Sequence, residues 1–285
     1  MKRLSILIVL LMLLTASVLS ARSVLPVHMW YAYDAVSGKL IKSGGIFDQR
    51  EATRLAIIGP GSTLKPFLLA AAIEGGLDPH KTVFCPPKKI ETPADKRCWL
   101  AAGHGAVDLV RGLANSCSVY TRHACRYVDA DRYRDLLTAY GLGARLPDEP
   151  TFRKLGCEAW MGAERGIAVT PQELALAYRL AFAPKRPDDA PPELAGLDVI
   201  KQGLRESCLT GTGRDVRLFA PMLEAMGKTG TGHTLDGRRC GIFVALAPAD
   251  EPKLVLVLVA SRASGSQAAN LAGQRLSELL NLTAP

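Results

Sequence analysis

Extended segments at the two ends of the chain, with helical segments between them, constrain the fold more than any other feature of the sequence. Residues 28–34 and 39–44 alternate in polarity around a short turn, which predicts a hairpin. Residues 242–247 and 253–261 are apolar runs split by a Pro-rich turn, which predicts two buried strands. We therefore expect an α/β (α+β) fold in which N- and C-terminal strands form one central antiparallel sheet, flanked by helices, with a helical lobe inserted.

The middle of the chain supplies the helices. Ser62 follows a Gly-Pro-Gly turn and begins an apolar run that Gly75 and Gly76 end, so this segment predicts a buried helix with a serine near its N-terminus. Residues 78–104 are loop-rich. Further helices are predicted over residues 109–115, 119–128, 130–140, 171–182, 197–206 and 267–280.

Composition indicates one globular domain, which we place at residues 22–285. The chain has 285 residues, 48% of them hydrophobic, and a formal net charge of +8. A basic surface suits a protein that works beside an anionic wall or membrane, but it also fits an ordinary solvated surface. Basic and aromatic residues do not cluster, so no nucleic-acid partner is predicted.

The first 21 residues have the layout of a secretory signal peptide. Lys2 and Arg3 precede an apolar run over residues 4–19, and the small residues Ser20 and Ala21 follow. The run is shorter than the roughly 20 residues of a membrane span. We therefore predict export to the periplasm or another extracytoplasmic space, with an uncleaved membrane anchor as the alternative.

Export makes disulfides possible, and the seven cysteines are an odd number, so at least one thiol is expected to stay free. Cys85 and Cys98 bracket one loop and are predicted to form a local bridge. Cys117 is predicted to be a buried free thiol. The chain has no Cys-x-x-Cys or His-x-x-x-His spacing, so the sequence predicts neither a structural zinc ion nor another cofactor.

Three short motifs occur in a fixed order and carry the candidate chemistry: Ser62-Thr63-Leu64-Lys65, Ser116-Cys117-Ser118 and Lys228-Thr229-Gly230-Thr231-Gly232. On a helix, residues three apart share a face, so Lys65 would lie beside Ser62. Burial and Lys228 would lower the pKa of Lys65, and a neutral amine could then accept the serine proton. Taken alone, the first motif is more often an ordinary helix start than a catalytic site.

The motifs and their surroundings resemble the transpeptidase domain of penicillin-binding proteins, most closely the class B, elongation-type members of the serine β-lactamase/D,D-peptidase superfamily. The resemblance is collinear along nearly the whole chain after the leader. It lies in residues 29–40, in Gly59-Pro60-Gly61-Ser62-Thr63-Leu64-Lys65-Pro66-Phe67, in residues 103–109 and 114–120, in Val169-Thr170-Pro171, in Gly211-Thr212-Gly213 and in the last two strands.

This resemblance implies a serine acyl-transferase that acts on D-alanyl-D-alanine stem peptides of peptidoglycan and binds β-lactams covalently. Ser62 would be the nucleophile, Lys65 its base and Ser116 the proton relay, with Lys228 holding the electrostatics of that relay. Further implied roles concern the substrate: Ser118 and Gly230 would contact it, Thr229 and Thr231 would hold its carboxylate, and the N–H groups of Ser62 and Thr231 would form the oxyanion hole.

Two departures from the family pattern keep alternatives open. Ser118 stands where the family usually has Asn or Asp, and a hydroxyl lacks the reach of an amide. The chain also lacks the large module that usually precedes the domain in class B members, so a separate membrane or wall-synthesis protein could supply localisation. The alternatives are a non-catalytic penicillin-binding or sensor domain and, with less support, a serine β-lactamase.

Overall fold

A computed structural model of the protein describes residues 26–89, 97–183, 190–218 and 220–281. The predicted leader, residues 1–21, lies outside them. Among the helices that the structure describes, none combines the length and the apolar character needed to cross a membrane.

A five-stranded antiparallel sheet with the strand order β2-β1-β7-β6-β5 forms the centre of the fold. The predicted pairing of the two chain ends is confirmed, because β1 lies between β2 and the last strand, with His28 opposite Ala260. A second, two-stranded sheet pairs β3 with β4. The strands are β1 His28–Asp34, β2 Leu40–Ile46, β3 Val83–Cys85, β4 Gly105–Val107, β5 Met226–His233, β6 Arg239–Ala247 and β7 Leu254–Ser261.

Helices cover both faces of the large sheet and build the inserted lobe. The α-helices are α1 Gln49–Leu55, α2 Lys65–Glu74, α3 Leu109–Ala114, α4 Ser118–Ala124, α5 Ala130–Leu137, α6 Glu149–Trp160, α7 Pro171–Phe182, α8 Leu197–Leu209 and α9 Gly265–Leu279. Short 3₁₀ turns cover Gly61–Leu64, Cys125–Tyr127 and Arg214–Arg217, and a π turn covers Thr138–Leu142.

Alternation along the strands divides the core into two clusters. Met29 and Tyr33 point into the larger cluster with the helical lobe, whereas Trp30 and Ala32 point into a smaller one beneath α9. A central strand that is apolar on both faces is expected where helices cover both sides of a sheet. This layering explains why residues 242–247 and 253–261 are continuous apolar runs.

Helix α2 is the centre of the lobe and is buried on nearly every side. The ring of Phe67 packs against Tyr140, Tyr178 and Phe182 at centroid distances of 5.6, 5.7 and 6.2 Å. Edge contacts of this kind add to the area that the rings bury. The start of α2 is therefore held rigidly, which matters because that start carries Ser62 and Lys65.

Several details differ from the sequence predictions. The disulfide joins Cys125 to Cys157, so the predicted Cys85–Cys98 bridge is wrong, since both of those thiols are free and buried. The sequence analysis missed α1, which is mostly polar, and α6, whose backbone is non-helical at Gly156. Both lack the uninterrupted apolar periodicity on which a helix prediction depends.

Candidate active site

Ser62 lies in the 3₁₀ turn Gly61–Leu64, immediately before α2. Two hydrogen bonds fix this turn: the Thr63 hydroxyl donates to the carbonyl of Pro60 over 2.6 Å, and the Tyr178 hydroxyl donates to the carbonyl of Thr63 over 2.7 Å. Tyr178 belongs to α7, whose N-terminus is closed by a capping box at Thr170. The turn that carries Ser62 is therefore anchored from the opposite side of the lobe.

Lys65 is one turn from Ser62, and its side chain is almost fully buried, with 2% exposure. Its Nζ donates to the carbonyl of Ser116 over 2.9 Å and to Ser116 Oγ over 3.3 Å. Burial lowers the pKa of Lys65 from 10.5 to about 8, because desolvation disfavours the ammonium form. About a tenth of the amine is therefore neutral at pH 7 and able to take a proton.

Ser116 occupies the corner between α3 and α4 in a left-handed backbone conformation, with φ of 52°. Its N–H donates to the carbonyl of Leu113 over 3.1 Å, and it is nearly buried. A non-glycine residue in this conformation costs about 1 kcal/mol or more. In this conformation, both the carbonyl and the hydroxyl of Ser116 face the Lys65 amine.

Lys228 lies on β5 and is fully buried. Its Nζ donates to the carbonyl of Thr229 over 3.0 Å. Burial and the nearby charge of Lys65 lower the pKa of Lys228 well below its ordinary value. Among the influences on the pKa of Lys65 that the sequence analysis predicted, burial is the largest in the structure. The charge of Lys65 in turn lowers the pKa of Lys228.

Two glycines let β5 approach the Ser62 turn. A Cβ on Gly230 would lie 2.8 Å from the carbonyl oxygen of Pro60, and a Cβ on Gly61 would lie 2.6 Å from that of Thr231. Gly61 also has φ of 58°, where side chains are strained. These contacts place Thr231 directly beside the turn that carries Ser62.

An open cleft of about 800 Å³ lies above these groups. Six predicted site residues line it: Ser62, Ser116, Ser118, Thr229, Gly230 and Thr231. Lys65 and Lys228 lie buried beneath it. All eight predicted residues thus meet in one place, although they come from three distant parts of the chain. A serine, a partly neutral lysine and a hydroxyl relay are the components that acyl transfer requires.

Comparison with known proteins decides the family. A family model described as the penicillin binding protein transpeptidase domain matches residues 52–280. The chain belongs to this family. Two similar curated relatives are peptidoglycan D,D-transpeptidases MrdA. The one from Acinetobacter baumannii is 24% identical, over 75% of this chain and 41% of the relative. The one from Haemophilus influenzae is 25% identical, over 79% of this chain and 45% of the relative. The chain spans less than half the length of these relatives.

Solved structures confirm the predicted fold of the transpeptidase domain. Pseudomonas aeruginosa PBP2 in complex with WCK 5153 matches with a TM-score of 0.70 at 20% identity, covering 92% of this chain and 73% of that one. The complex between PBP2 and MreC from Helicobacter pylori matches with a TM-score of 0.71 at 20% identity, covering 90% of this chain and 61% of that one.

The cleft of the transpeptidase domain contains groups to which the sequence analysis gave no role. They are Trp99, Arg214, Asp215, Arg239 and the α9 start Ser264–Ser266. Arg239 could have been found from its position on the strand beside the Lys228-Thr229-Gly230 motif. The others depend on loops that only the fold brings to the cleft.

Thr212 is another residue without a predicted role, although its Gly-Thr-Gly segment was part of the resemblance. Its hydroxyl lies 2.6 Å from the hydroxyl of Thr229. The same hydroxyl donates to the carbonyl of Ala114 over 3.3 Å. Thr212 therefore joins β5 to the end of α3, just before the Ser116 corner. It holds the Thr229 side chain in position at the wall of the cleft.

We expect Thr212→Val to lower the free energy of unfolding by about 1 kcal/mol and to slow β-lactam acylation several-fold, because Val keeps the shape but loses both hydrogen bonds. Urea unfolding and stopped-flow acylation measure the two effects. Thr210→Val is the matched control, since that exposed hydroxyl bonds only to Glu206 on the surface. Equal acylation rates for Thr212→Val and wild type would contradict a positioning role.

A cluster of side chains that could hold a metal ion lies at one wall of the cleft, which His104 lines. Cys85, Cys98, His104 and Cys117 bring their ligand atoms within 4.8 Å of one another. Three thiols and one imidazole are a donor set of closed, four-coordinate zinc sites. The sequence analysis looked for short ligand spacings, whereas the fold gathers these donors from β3, the following loop and the N-cap of α4.

Proposed function

We propose that this domain is a serine acyl-transferase of peptidoglycan synthesis, a D,D-transpeptidase or D,D-carboxypeptidase that forms an acyl-enzyme on Ser62 with D-alanyl-D-alanine stem peptides. One observation carries the proposal. Lys65 lies one turn from Ser62 at the floor of the cleft, and its buried amine, whose pKa is lowered to about 8, donates hydrogen bonds to Ser116. The MrdA relatives are named for this reaction.

In the proposed reaction, Ser62 Oγ attacks the carbonyl carbon of the penultimate D-alanine while Lys65 accepts its proton. The N–H groups of Ser62 and Thr231 stabilise the oxyanion. The proton then passes through Ser116 to the amine of the leaving D-alanine, and the acyl-enzyme remains. Transfer of the acyl group to an amine gives a cross-link, and transfer to water gives a trimmed peptide.

The substrate is proposed to lie along β5, which is the edge strand of the sheet. Thr229 and Thr231 would donate to its terminal carboxylate, and a carboxylate there would favour the ammonium form of Lys228. A β-lactam presents the same carboxylate and an acylating carbonyl, so it would form the same bond with Ser62.

Location and partners form part of the proposal. Residues 1–21 would direct export, so that the domain works in the periplasm beside its substrate. A structural relative, PBP2 of Helicobacter pylori, forms a complex with MreC. We propose that a wall-synthesis or membrane protein likewise places this domain at its site of action.

The deciding experiment incubates the purified domain with a fluorescent penicillin, follows intact mass over time and maps the adduct by peptide sequencing. We expect one stable adduct on the peptide that contains Ser62, and release of D-alanine from a D-alanyl-D-alanine peptide. A short-lived adduct with rapid drug hydrolysis would indicate a β-lactamase. A stable adduct without any peptide turnover would indicate a sensor, and a folded protein without an adduct would refute the proposal.

Ser118 provides a second test, because it lines the cleft at the first turn of α4 where the family usually carries Asn or Asp. We expect Ser118→Asn to accelerate acylation by roughly fivefold, since the amide can add one hydrogen bond to the substrate. Stopped-flow acylation measures the rate, with Ser43→Asn on the exposed strand β2 as the matched control. A slower Ser118→Asn variant would mean that the cleft is built around the hydroxyl.

A further inference from the structure

Among the described residues, Arg239 is a cation that lines the cleft without an acidic partner. The same cleft is lined by a second arginine, Arg214, and by one carboxylate, Asp215. Arg214 lies 4.0 Å from Asp215, whereas no carboxylate in the described part of the chain lies within ion-pair distance of Arg239. An exposed cation that faces a substrate cleft without a counter-charge favours an anionic group on the ligand.

The register of the sheet fixes where Arg239 lies along the cleft. On β6, Arg239 is directly opposite His233 of β5. Opposite residues share one face of an antiparallel sheet, and so do alternate residues along a strand. Arg239 therefore lies on the same face as Thr229 and Thr231. It is level with a position two residues beyond Thr231, about 7 Å farther along the strand.

The groups that hold the substrate determine the direction in which it crosses this face, a step that rests on the proposed function. The terminal carboxylate lies at Thr229 and Thr231, and the scissile carbonyl lies at the N–H groups of Ser62 and Thr231. The peptide before the scissile bond therefore runs from Thr231 toward His233. Arg239 lies beside that part of the substrate, beyond the terminal carboxylate.

The guanidinium of Arg239 suits a carboxylate in that part of the substrate. Its planar fork can donate two parallel hydrogen bonds to one carboxylate. A substrate strand beside β5 lies about 10 Å from β6, a distance that an arginine and an acidic side chain on the same face span together. Lys228 does not serve this position, because it is fully buried and its Nζ donates to the carbonyl of Thr229.

We propose that Arg239 binds a second carboxylate of the acyl donor, carried by the residue that precedes the D-alanyl-D-alanine end. The preferred stem peptides of this domain therefore have an acidic group at that residue. A β-lactam with a carboxylate on its acylamino side chain is the matching inhibitor. Arg239 forms an ion pair only and determines specificity, while acyl transfer itself depends on Ser62, Lys65 and Ser116.

The test compares two drugs that differ by one carboxylate. Carbenicillin is benzylpenicillin with a carboxylate added to the acylamino side chain, and both drugs keep the ring carboxylate. Stopped-flow acylation of the purified protein gives a second-order rate constant for each drug. We expect the ratio of these constants, carbenicillin over benzylpenicillin, to fall by about five- to tenfold in Arg239→Gln, because a solvent-exposed ion pair contributes about this much.

A pair of peptides extends the test to the proposed substrate. Acetyl-L-Glu-D-Ala-D-Ala and acetyl-L-Gln-D-Ala-D-Ala have nearly the same shape and differ in one charge. Wild type should release D-alanine from the glutamyl peptide about five- to tenfold more efficiently, mainly through a lower KM, and Arg239→Gln should lose this preference. Raising NaCl from about 0.05 to 0.5 M should reduce the preference of wild type, because salt screens an exposed ion pair.

Two further variants serve as controls. Arg239→Lys keeps the charge but loses the planar fork, so it should retain part of the preference. Arg262 is an exposed arginine whose N–H donates to the carbonyl of Arg239 over 2.8 Å, and it does not line the cleft. Arg262→Gln should therefore discriminate between the ligands as wild type does.

The inference is overturned if Arg239→Gln leaves both ligand preferences unchanged. Equal losses for carbenicillin and benzylpenicillin would also overturn it, because they would place Arg239 at the ring carboxylate that the two drugs share. If neither drug acylates the folded wild-type protein, the proposed function fails and equilibrium binding decides the inference. NMR titration must then show tighter binding of the glutamyl peptide than of the glutaminyl peptide, and Arg239→Gln must remove the difference.

Discussion

Lys65→Met is expected to slow β-lactam acylation by about 10³–10⁴-fold while leaving the fold intact. Met matches the length of lysine but cannot accept the Ser62 proton, and general-base catalysis contributes about this much. Stopped-flow acylation measures the rate, and circular dichroism verifies folding. Lys42→Met, on the exposed strand β2, is the control for the substitution itself. A rate within tenfold of wild type would exclude Lys65 as the base.

The pH dependence of the wild-type protein provides the companion measurement. Because burial lowers the pKa of Lys65 to about 8, the neutral fraction of the amine rises with pH through that value. The acylation rate should therefore increase from about pH 6 through about pH 8 and level off above about pH 9. A rate that stays flat over this range would contradict a titrating base.

The lowered pKa of Lys65 also affects stability: it reduces the free energy of unfolding near neutral pH. The unfolded chain has the ordinary lysine pKa of 10.5, so between about pH 8 and 10.5 it binds more protons than the folded protein, and the free energy of unfolding rises with pH there. Near pH 7 the buried lysine therefore costs about 3 kcal/mol. We expect Lys65→Met to be more stable than wild type by roughly 1–3 kcal/mol, measured by urea unfolding at pH 7.

The second large effect concerns Ser116. Both Ser116→Ala and Ser116→Gly should slow acylation by about 10²–10⁴-fold, because both lose the hydroxyl that relays the proton. Their stabilities should diverge: glycine relieves the left-handed conformation at φ of 52° and should stabilise the fold by about 1 kcal/mol relative to alanine. Acylation kinetics and thermal unfolding measure the two effects separately.

A control for the backbone effect exists elsewhere in the chain. Arg262 has φ of 55°, so Arg262→Gly should stabilise the protein similarly without changing acylation. If Ser116→Gly retained most of its rate, the hydroxyl would not be the relay, and the Ser116 carbonyl that accepts from Lys65 would be the part of this residue that matters.

Much of this architecture could be predicted from the sequence because its signals are local. Period-two alternation in residues 28–34 and the apolar runs at 242–247 and 253–261 led to the correct sheet, since strands buried on both faces require such runs. Helical spacing predicts that Lys65 lies beside Ser62, whereas only the resemblance to the family implied that Ser116 joins them. Their meeting is a property of the family pattern, and the hydrogen bonds of Lys65 agree with it.

The remaining features depend on contacts between distant segments. Cys125 and Cys157 are 32 residues apart and became neighbours only through the packing of the lobe. Cys85, Cys98, His104 and Cys117 come together from four positions with no metal-binding spacing, and Thr212 reaches Thr229 across the end of α3. None of these pairings leaves a periodic trace in the sequence, so only the fold reveals them.

The pairing of β1 with β7 also governs when the protein can become reactive. Ser62, Ser116 and Lys228 reach one cleft only after the final strand has joined the first, and α9 contributes Gly265 to the wall beside Thr229. A nascent chain that lacks its last segments cannot assemble the site, so labelling by a fluorescent penicillin counts completed molecules. The antibiotic thereby becomes a probe of biogenesis, which reports the moment at which folding is finished.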